Sequence, residues 1–386
     1  MKSPEGADEV TRALAARCRD EALTTEADRR VAPHLVDEMR RAGIFSMLLP
    51  QSMGGSESSP LAVLEVIETL SAADGSAGWC AMIGATTTAL VAYLPESGAR
   101  EIVTGPDTIV GGTFNPQGRA VPVDGGLLLT GRWPYGSGVE HSDWMAAACL
   151  VVGPDGKPLL VDGERPDARL AFFPSSEVEV HDTWDTVGMR GTGSHDFSVK
   201  EVFVPAAHAT NFDFQGWPAG PLWRMPPFSV MFPPMAAVPL GIARAAIEEV
   251  VKLAPAKTPY RSTRRMADRD MVQVAVARAE ALTRSSRAFL HQAVAEPWDA
   301  AVADQPATIE QRAICRLASV HASQAAVEAV DLCFEAAGGS AVYGTSTLQR
   351  HLRDVHVVGQ HVVLAASGYE TVGRVLLGLP PDTPLL

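Results

Sequence analysis

Residues Phe334 to Leu364 read FEAAGGSAVYGTSTLQRHLRDVHVVGQHVVL, and the rest of the chain is organised around them. The stretch opens as a helical run and breaks at Gly338, Gly339 and Ser340, where glycine permits positive φ and lets backbone N–H groups approach a phosphate closely. A helix resumes at Thr347, whose hydroxyl is a candidate cap. Arg350, Asp354 and His361 then recur at spacings of four and seven, which predicts one shared helix face carrying an arginine, an acid and a histidine.

Composition narrows the partners. The chain has 386 residues, 46% hydrophobic and 20% charged, enough for two or three domains or one large core with lobes. A formal net charge of -13 argues against nucleic acid and anionic membrane surfaces, which call for clustered Lys and Arg. An anionic ligand must therefore be held by a few local arginines and helix N-termini. The five scattered cysteines form no C-x-x-C pair and read as reduced core thiols of a cytoplasmic protein. The start, MKSPEGADEV, has no apolar signal-peptide core. Gly75 to Pro95 is uncharged, yet its threonines and its acidic flanks Asp74 and Glu96 predict a helix buried in protein instead of lipid.

Periodicity divides the chain in three. Helical patterning fills the first hundred residues, including a helix from Ala32 to Ala42 closed by Gly43 and two helices meeting near Asp74 and Gly75. From Thr108 the runs IVGGTF, RAVPVDGGLLLTGRW, WMAAACLVV, ARLAFFP, VEVHDTW and HDFSVKEVFVP, parted by Asp-Gly and Pro-Asp turns, predict antiparallel strands over about Pro106 to Pro205. Trp217 to Pro239 reads as too proline-rich for regular structure. Helices resume near Leu240 and continue to Leu377, with one interruption from Pro297 to Pro306.

The motifs AAGGSAVY and LQRHLRDVHVV resemble the C-terminal domain of the acyl-CoA dehydrogenase superfamily, and the order helices, strands, helices matches it over essentially the whole chain. The resemblance implies an α+β fold: an N-terminal helical domain at residues 1–105, a central antiparallel, barrel-like β domain at 106–212 and a C-terminal four-helix bundle at 213–386. Two departures select a branch. Where some dehydrogenases carry Tyr-Glu-Gly with a glutamate base, this chain reads His361, Val362, Val363, and no acid lies between Arg224 and Arg244 where others place it. A histidine there is similar to the oxygenase components of two-component flavin monooxygenases. The alternative is an acyl-CoA dehydrogenase-type oxidoreductase.

That branch implies a monooxygenase that takes FADH2 or FMNH2 from a separate NAD(P)H:flavin reductase and passes one oxygen atom of O2, through a flavin C4a-hydroperoxide, to a small organic substrate. His361, Ser137 and His141 are the implied catalytic residues. GRWPYGSG followed by His141 would lay Trp133, Tyr135 and Ser137 against the flavin, although by itself it also reads as a hairpin turn. WDTVGMRGTGSHD resembles the flavin-side passage and implicates Thr192 and Ser194. The turn Gly338, Gly339, Ser340 is implied to meet a neighbouring subunit's flavin, and Arg261 and Arg264 its pyrophosphate, with a solvated basic patch as the other reading. No full G-x-G-x-x-G occurs, which fits reduced flavin supplied from elsewhere. His351, His356 and His361, five apart, spread around a helix and predict no metal site. Gly78 and Trp79 are present, but the second histidine common in the branch is not, since that region reads Gly84, Ala85, Thr86, Thr87. Indole-type, amine or sulfur substrates therefore fit better than a simple phenol. Apolar runs on several faces of VQVAVARAEAL and VEAVDLCFEAA, together with the resemblance, predict a homotetramer.

Overall fold

The computed structural model describes residues 9–383 and 386. Six helices come first: α1 (Glu9–Asp20), α2 (Ala22–Asp28), α3 (Pro33–Arg41), α4 (Pro60–Ala73), α5 (Gly75–Ala89) and α6 (Glu96–Ile102). Asp74 ends α4 and caps α5, its carboxylate accepting from the Ala77 N–H at 2.8 Å. The uncharged stretch expected to be buried is buried, with every residue of α5 except Ile83 enclosed by protein.

Nine strands follow: β1 (Val110–Val123), β2 (Gly126–Gly136), β3 (Trp144–Val151), β4 (Leu160–Val161), β5 (Arg165–Pro166), β6 (Ala168–Pro174), β7 (Glu179–His181), β8 (His195–Pro205) and β9 (Ala209–Asn211). Seven of them form one sheet in the order β7-β8-β2-β1-β3-β6-β9, and β4 pairs with β5. The sheet is mixed, because β1 and β3 run parallel while its other pairs are antiparallel. After the β1–β2 hairpin returns the chain to the start of β1, residues 137–143 step across that end before β3 begins. That step lays Ser137 and Gly138 beneath α5, with Cys80 beside Gly138.

The chain closes with α7 (Pro221–Arg224), α8 (Pro227–Ala256), α9 (Asp270–Val302), α10 (Ile309–Ala337), α11 (Thr347–Val358) and α12 (Gly368–Leu376). Helices α8, α9 and α10 pack on one another, and α4 crosses α8. Two sequence expectations are corrected here. The proline-rich passage is helical, for α8 contains Pro233, Pro234 and Pro239, and the lost backbone bonds are outweighed by burial of nearly its whole first half. Pro297 lies inside α9, so that interruption begins only after Val302. Among the described residues α8 is the one helix long and apolar enough to cross a membrane, and 83% of its apolar window is buried, as for a core helix.

Close approach of α8 to α4 depends on Gly241, where an added Cβ would stand 2.4 Å from the Glu68 carbonyl oxygen and 2.8 Å from the Ala72 nitrogen. Both neighbours are backbone and cannot rotate away. Gly241→Ala is expected to force the helices apart and cost about 1–3 kcal/mol, the range for overpacked cores, read as a lower denaturation midpoint with unchanged m-value.

Candidate active site

A row of polar side chains runs from α5 to the start of β8. The Trp79 indole Nε1–H donates to Ser137 Oγ at 3.0 Å, Ser137 Oγ lies 2.7 Å from Ser194 Oγ, and Ser194 Oγ lies 2.6 Å from Thr192 Oγ1. Thr192 Oγ1 in turn donates to the Met189 carbonyl at 2.8 Å. That last bond sets the direction of the whole row. With its proton committed to Met189, Thr192 accepts from Ser194, which accepts from Ser137, which accepts from Trp79. Ser137 keeps one lone pair and has no hydrogen to spare. All three hydroxyls are buried.

His361 stands at the other edge of Trp79, with ring centroids 5.3 Å apart in an edge-to-face arrangement. The expected common face with Arg350 and Asp354 is corrected: α11 ends at Val358, and His361 lies in the turn after it. The Val363 N–H donates to His361 Nδ1 at 3.3 Å, so in the neutral ring the proton sits on Nε2. Burial, then the Arg316 charge, push the imidazole down to about 4. At neutral pH His361 is therefore an uncharged N–H donor. Thr347 does not cap α11; Ser346 holds the N-cap position and the Thr347 hydroxyl is buried without a partner.

Arg350 and Asp354 are buried on α11 and serve the wall of the site. Asp354 Oδ1 accepts the Met189 N–H at 2.6 Å. Gly188 permits this approach, because a Cβ there would lie 2.4 Å from the Arg353 carbonyl oxygen. Met189 is thereby held in the left-handed region at φ 52°, its carbonyl also accepting from the Trp184 indole at 2.9 Å. Burial raises the Asp354 carboxyl to about 7, opposed by its bond from Met189 and by Arg350.

The other residues singled out by sequence fall in several places. Trp133 is fully enclosed in the sheet core, stacked on Phe197 at 5.3 Å and donating to the Ala148 carbonyl, so its indole is not on the polar row. Tyr135 is exposed at φ 64° and packs edge-on to Trp184. His141 follows Gly138, its ring pushed down to about 4 by burial and by Arg30 and Arg40. Gly338, Gly339 and Ser340 line a separate cavity of about 530 Å³ with Lys257, Tyr260, Arg269 and Tyr343. A Cβ on Gly338 or Gly339 would meet nothing within 4 Å, which leaves that turn open. Arg261 and Arg264 are not among the cavity's walls. Arg261 lies over the exposed Tyr260 ring, and Arg264 is bound to the Asp268 carbonyl and to Asp270. The cations among the cavity's walls are Lys257, which also donates to the Ala337 carbonyl, and Arg269. The reading also missed Trp79 as the link between Ser137 and His361, although the pair Gly78, Trp79 was the available signal.

This arrangement fits a reduced flavin by the chemistry of its donors and acceptors. Ser137 offers an acceptor, His361 a neutral donor, and the cavity at Gly338 two cations suited to phosphate.

Comparison with known proteins agrees with these features. Residues 5–102 match the acyl-CoA dehydrogenase N-terminal domain and residues 234–366 its C-terminal domain. The indole-3-acetate monooxygenase of Pseudomonas putida is 36% identical over 369 residues, covering 94% of this chain and 92% of that one. The flavin-dependent monooxygenase oxygenase subunit HsaA of Mycobacterium tuberculosis is 30% identical, covering 95% and 94%. XiaF from Streptomyces sp., solved in complex with FADH2 and glycerol, superposes with a TM-score of 0.92 at 26% identity, covering 98% of this chain and 96% of that one.

The buried ionisable groups predict a pH dependence of stability. Burial lowers His141, His291 and His361 to about 4 and His351 to about 3, so their contributions are present above the unfolded value near 6.5 and are lost as pH falls through about 4. Asp354 has the opposite sign, contributing below the unfolded carboxylate value and losing this as pH rises through about 7. The raised carboxyls of Asp74 and Glu68 act in the same sense as Asp354, but the four histidines, each pushed down to about 4 or below, outweigh these acids, so melting temperature is expected to rise from pH 4 to 6.5. Asp354→Asn should steepen that rise; a flat profile in both proteins would contradict the assignment.

Proposed function

Because the chain belongs to the acyl-CoA dehydrogenase family, in its branch of flavin-dependent monooxygenase oxygenase components, we propose that it hydroxylates an aromatic substrate of the indole class at the Trp79, Ser137 and His361 cluster. The indole-3-acetate monooxygenase relative supports the substrate class, as does the lack of a second histidine on α5 for deprotonating a phenol. A separate reductase supplies the reduced flavin. When bound, the cofactor provides the two electrons with which one oxygen atom of O2 enters the substrate and the other leaves as water.

The observation that carries the reading is the pairing of a serine whose proton is committed to Ser194 with a neutral histidine across one tryptophan. Ser137 accepts from Trp79 and keeps a lone pair for the N–H that a reduced flavin has and an oxidised one lacks. His361 presents its Nε2–H to the reacting oxygen, where a preorganised donor gains strength from the low dielectric around it. The apolar helices α5 and α8 exclude water. A carboxylate base, which dehydrogenation of an acyl thioester needs, is replaced by His361. Lys257 and Arg269, with the open Gly338 turn, would take the phosphate of a flavin held by a neighbouring copy.

His361→Ala tests the centre of this reading. Productive oxygen transfer is expected to fall by about one to three decades, with hydrogen peroxide released instead, while reduced-flavin binding weakens modestly. Peroxide and product per reduced flavin are measured beside a thermal melt; unchanged coupling in a destabilised variant would remove His361 from the reaction.

Assembly gives a second test. Tyr260, Met271, Val274, Val342 and Tyr343 are exposed around the Gly338 cavity, an apolar rim suited to burial between subunits. A homotetramer is expected by light scattering at micromolar concentration. A monomer that still binds reduced flavin tightly would sink the shared site.

A further inference from the structure

One peptide unit, between Val362 and Val363, has both ends engaged. Its N–H is the one that donates to His361 Nδ1. Its carbonyl accepts from Arg316 Nη2, which reaches across from α10 at 3.3 Å. Arg316 is itself held on the far side, its guanidinium carbon 5.1 Å from the centre of the Phe232 ring. Room for it depends on Gly368, where a Cβ would stand 3.2 Å from Arg316 Nε. Among the described residues no carboxylate pairs with Arg316, and its Nη1 is buried with no partner. An unpaired, largely buried cation is costly, and most other arginines here lie against acids. Its position therefore calls for a reason other than stability.

We infer that Arg316 is a positioning residue for the reaction: it orients the Val362–Val363 peptide so that His361 is fixed as the Nε2–H tautomer. This rests on His361 facing the reacting oxygen, as proposed above. The groups around the ring support it. Helix α10 contributes the Arg316 cation, α5 presents the uncharged Trp79, and the turn after α11 contributes only the Val363 N–H. The acid at the end of α11's neighbourhood, Asp331, is taken up by His356. With no carboxylate to stabilise an imidazolium, a fixed cation nearby acts in one direction only.

Arg316→Met keeps much of the packing on Phe232 and removes both the donor and the charge; Arg316→Lys restores charge without the forked donor. The first readout is independent of turnover: imidazole nitrogen NMR of the flavin-free, full-length protein, titrated from pH 4 to 8. Wild type should show the Nε2–H tautomer and a titration near 4. Arg316→Met should mix the tautomers and move the His361 titration up part of the way, with burial still holding it below the ordinary value, and Arg316→Lys should hold the titration low while mixing the tautomers. The second readout is coupling, which in Arg316→Met should fall by about twofold or more at both pH 6 and pH 8, because the competing tautomer turns a lone pair instead of the Nε2–H toward the oxygen. In a His361→Asn background the same change should add no further loss, whereas a merely structural role would still lower coupling there. An unchanged tautomer and titration in Arg316→Met would overturn the inference while leaving the monooxygenase reading intact. Loss of the effect of His361→Ala on coupling would overturn that reading instead.

Discussion

The bond from the Met189 N–H to Asp354 is the constraint on which the site depends. It closes a contact between residues 165 positions apart, and it does so in a region with little water to replace it. Around it sit three buried charged groups, Asp354, Arg350 and Asp74, from the two helical parts of the chain. The Arg350 guanidinium, which cannot shed its proton, acts on both carboxylates through its charge. Burial raises both acids, and Arg350 pulls both back. One acid caps α5, which carries Trp79; the other holds the Met189 loop, whose carbonyl terminates the hydroxyl row.

From this follows a division of labour. Met189 is pinned at its nitrogen by α11 and at its oxygen by Thr192 and Trp184, which makes the carbonyl a fixed acceptor. Polarity is then passed from hydroxyl to hydroxyl until it reaches Ser137. On the other side of Trp79, the Val362–Val363 peptide does the same for His361. Two rigid backbone groups thus decide the hydrogen-bonding character of Ser137 and His361. Preorganisation of this kind is what a donor aimed at a developing charge needs, since side-chain rotation during reaction would cost part of the gain.

Much of the architecture was legible. Alternating apolar runs marked the strands, glycine and Asp-Gly turns marked their ends, and the uncharged α5 was recognised as a buried helix. Where reading failed, the reason was a local rule overruled by packing. Proline propensity argued against a helix from Pro227, yet enclosure by α4, α9 and α10 stabilises α8 despite its prolines. Helical spacing placed His361 on the face of Arg350, but Gly359 and the turn beyond it end the helix one turn too early for that.

By itself the sequence determined the class of elements, their order, the acidic balance that forces an anion to be bound locally, and the residue types at the site: a histidine where a carboxylate base would stand, and a set of serines and a threonine in two turns. The elements and the charge balance are properties of composition and near-neighbour periodicity, whereas the residue types at the candidate site were implied by the family resemblance. Only the tertiary structure decided that Trp79 joins Ser137 to His361, that Ser137 accepts from Trp79, and that Arg316 reaches the peptide that hydrogen-bonds the histidine. The physical reason is range. Hydrogen-bond direction and charge state depend on partners 58, 165 or 46 positions away along the chain, and no periodicity within one element records which of them the fold will bring together.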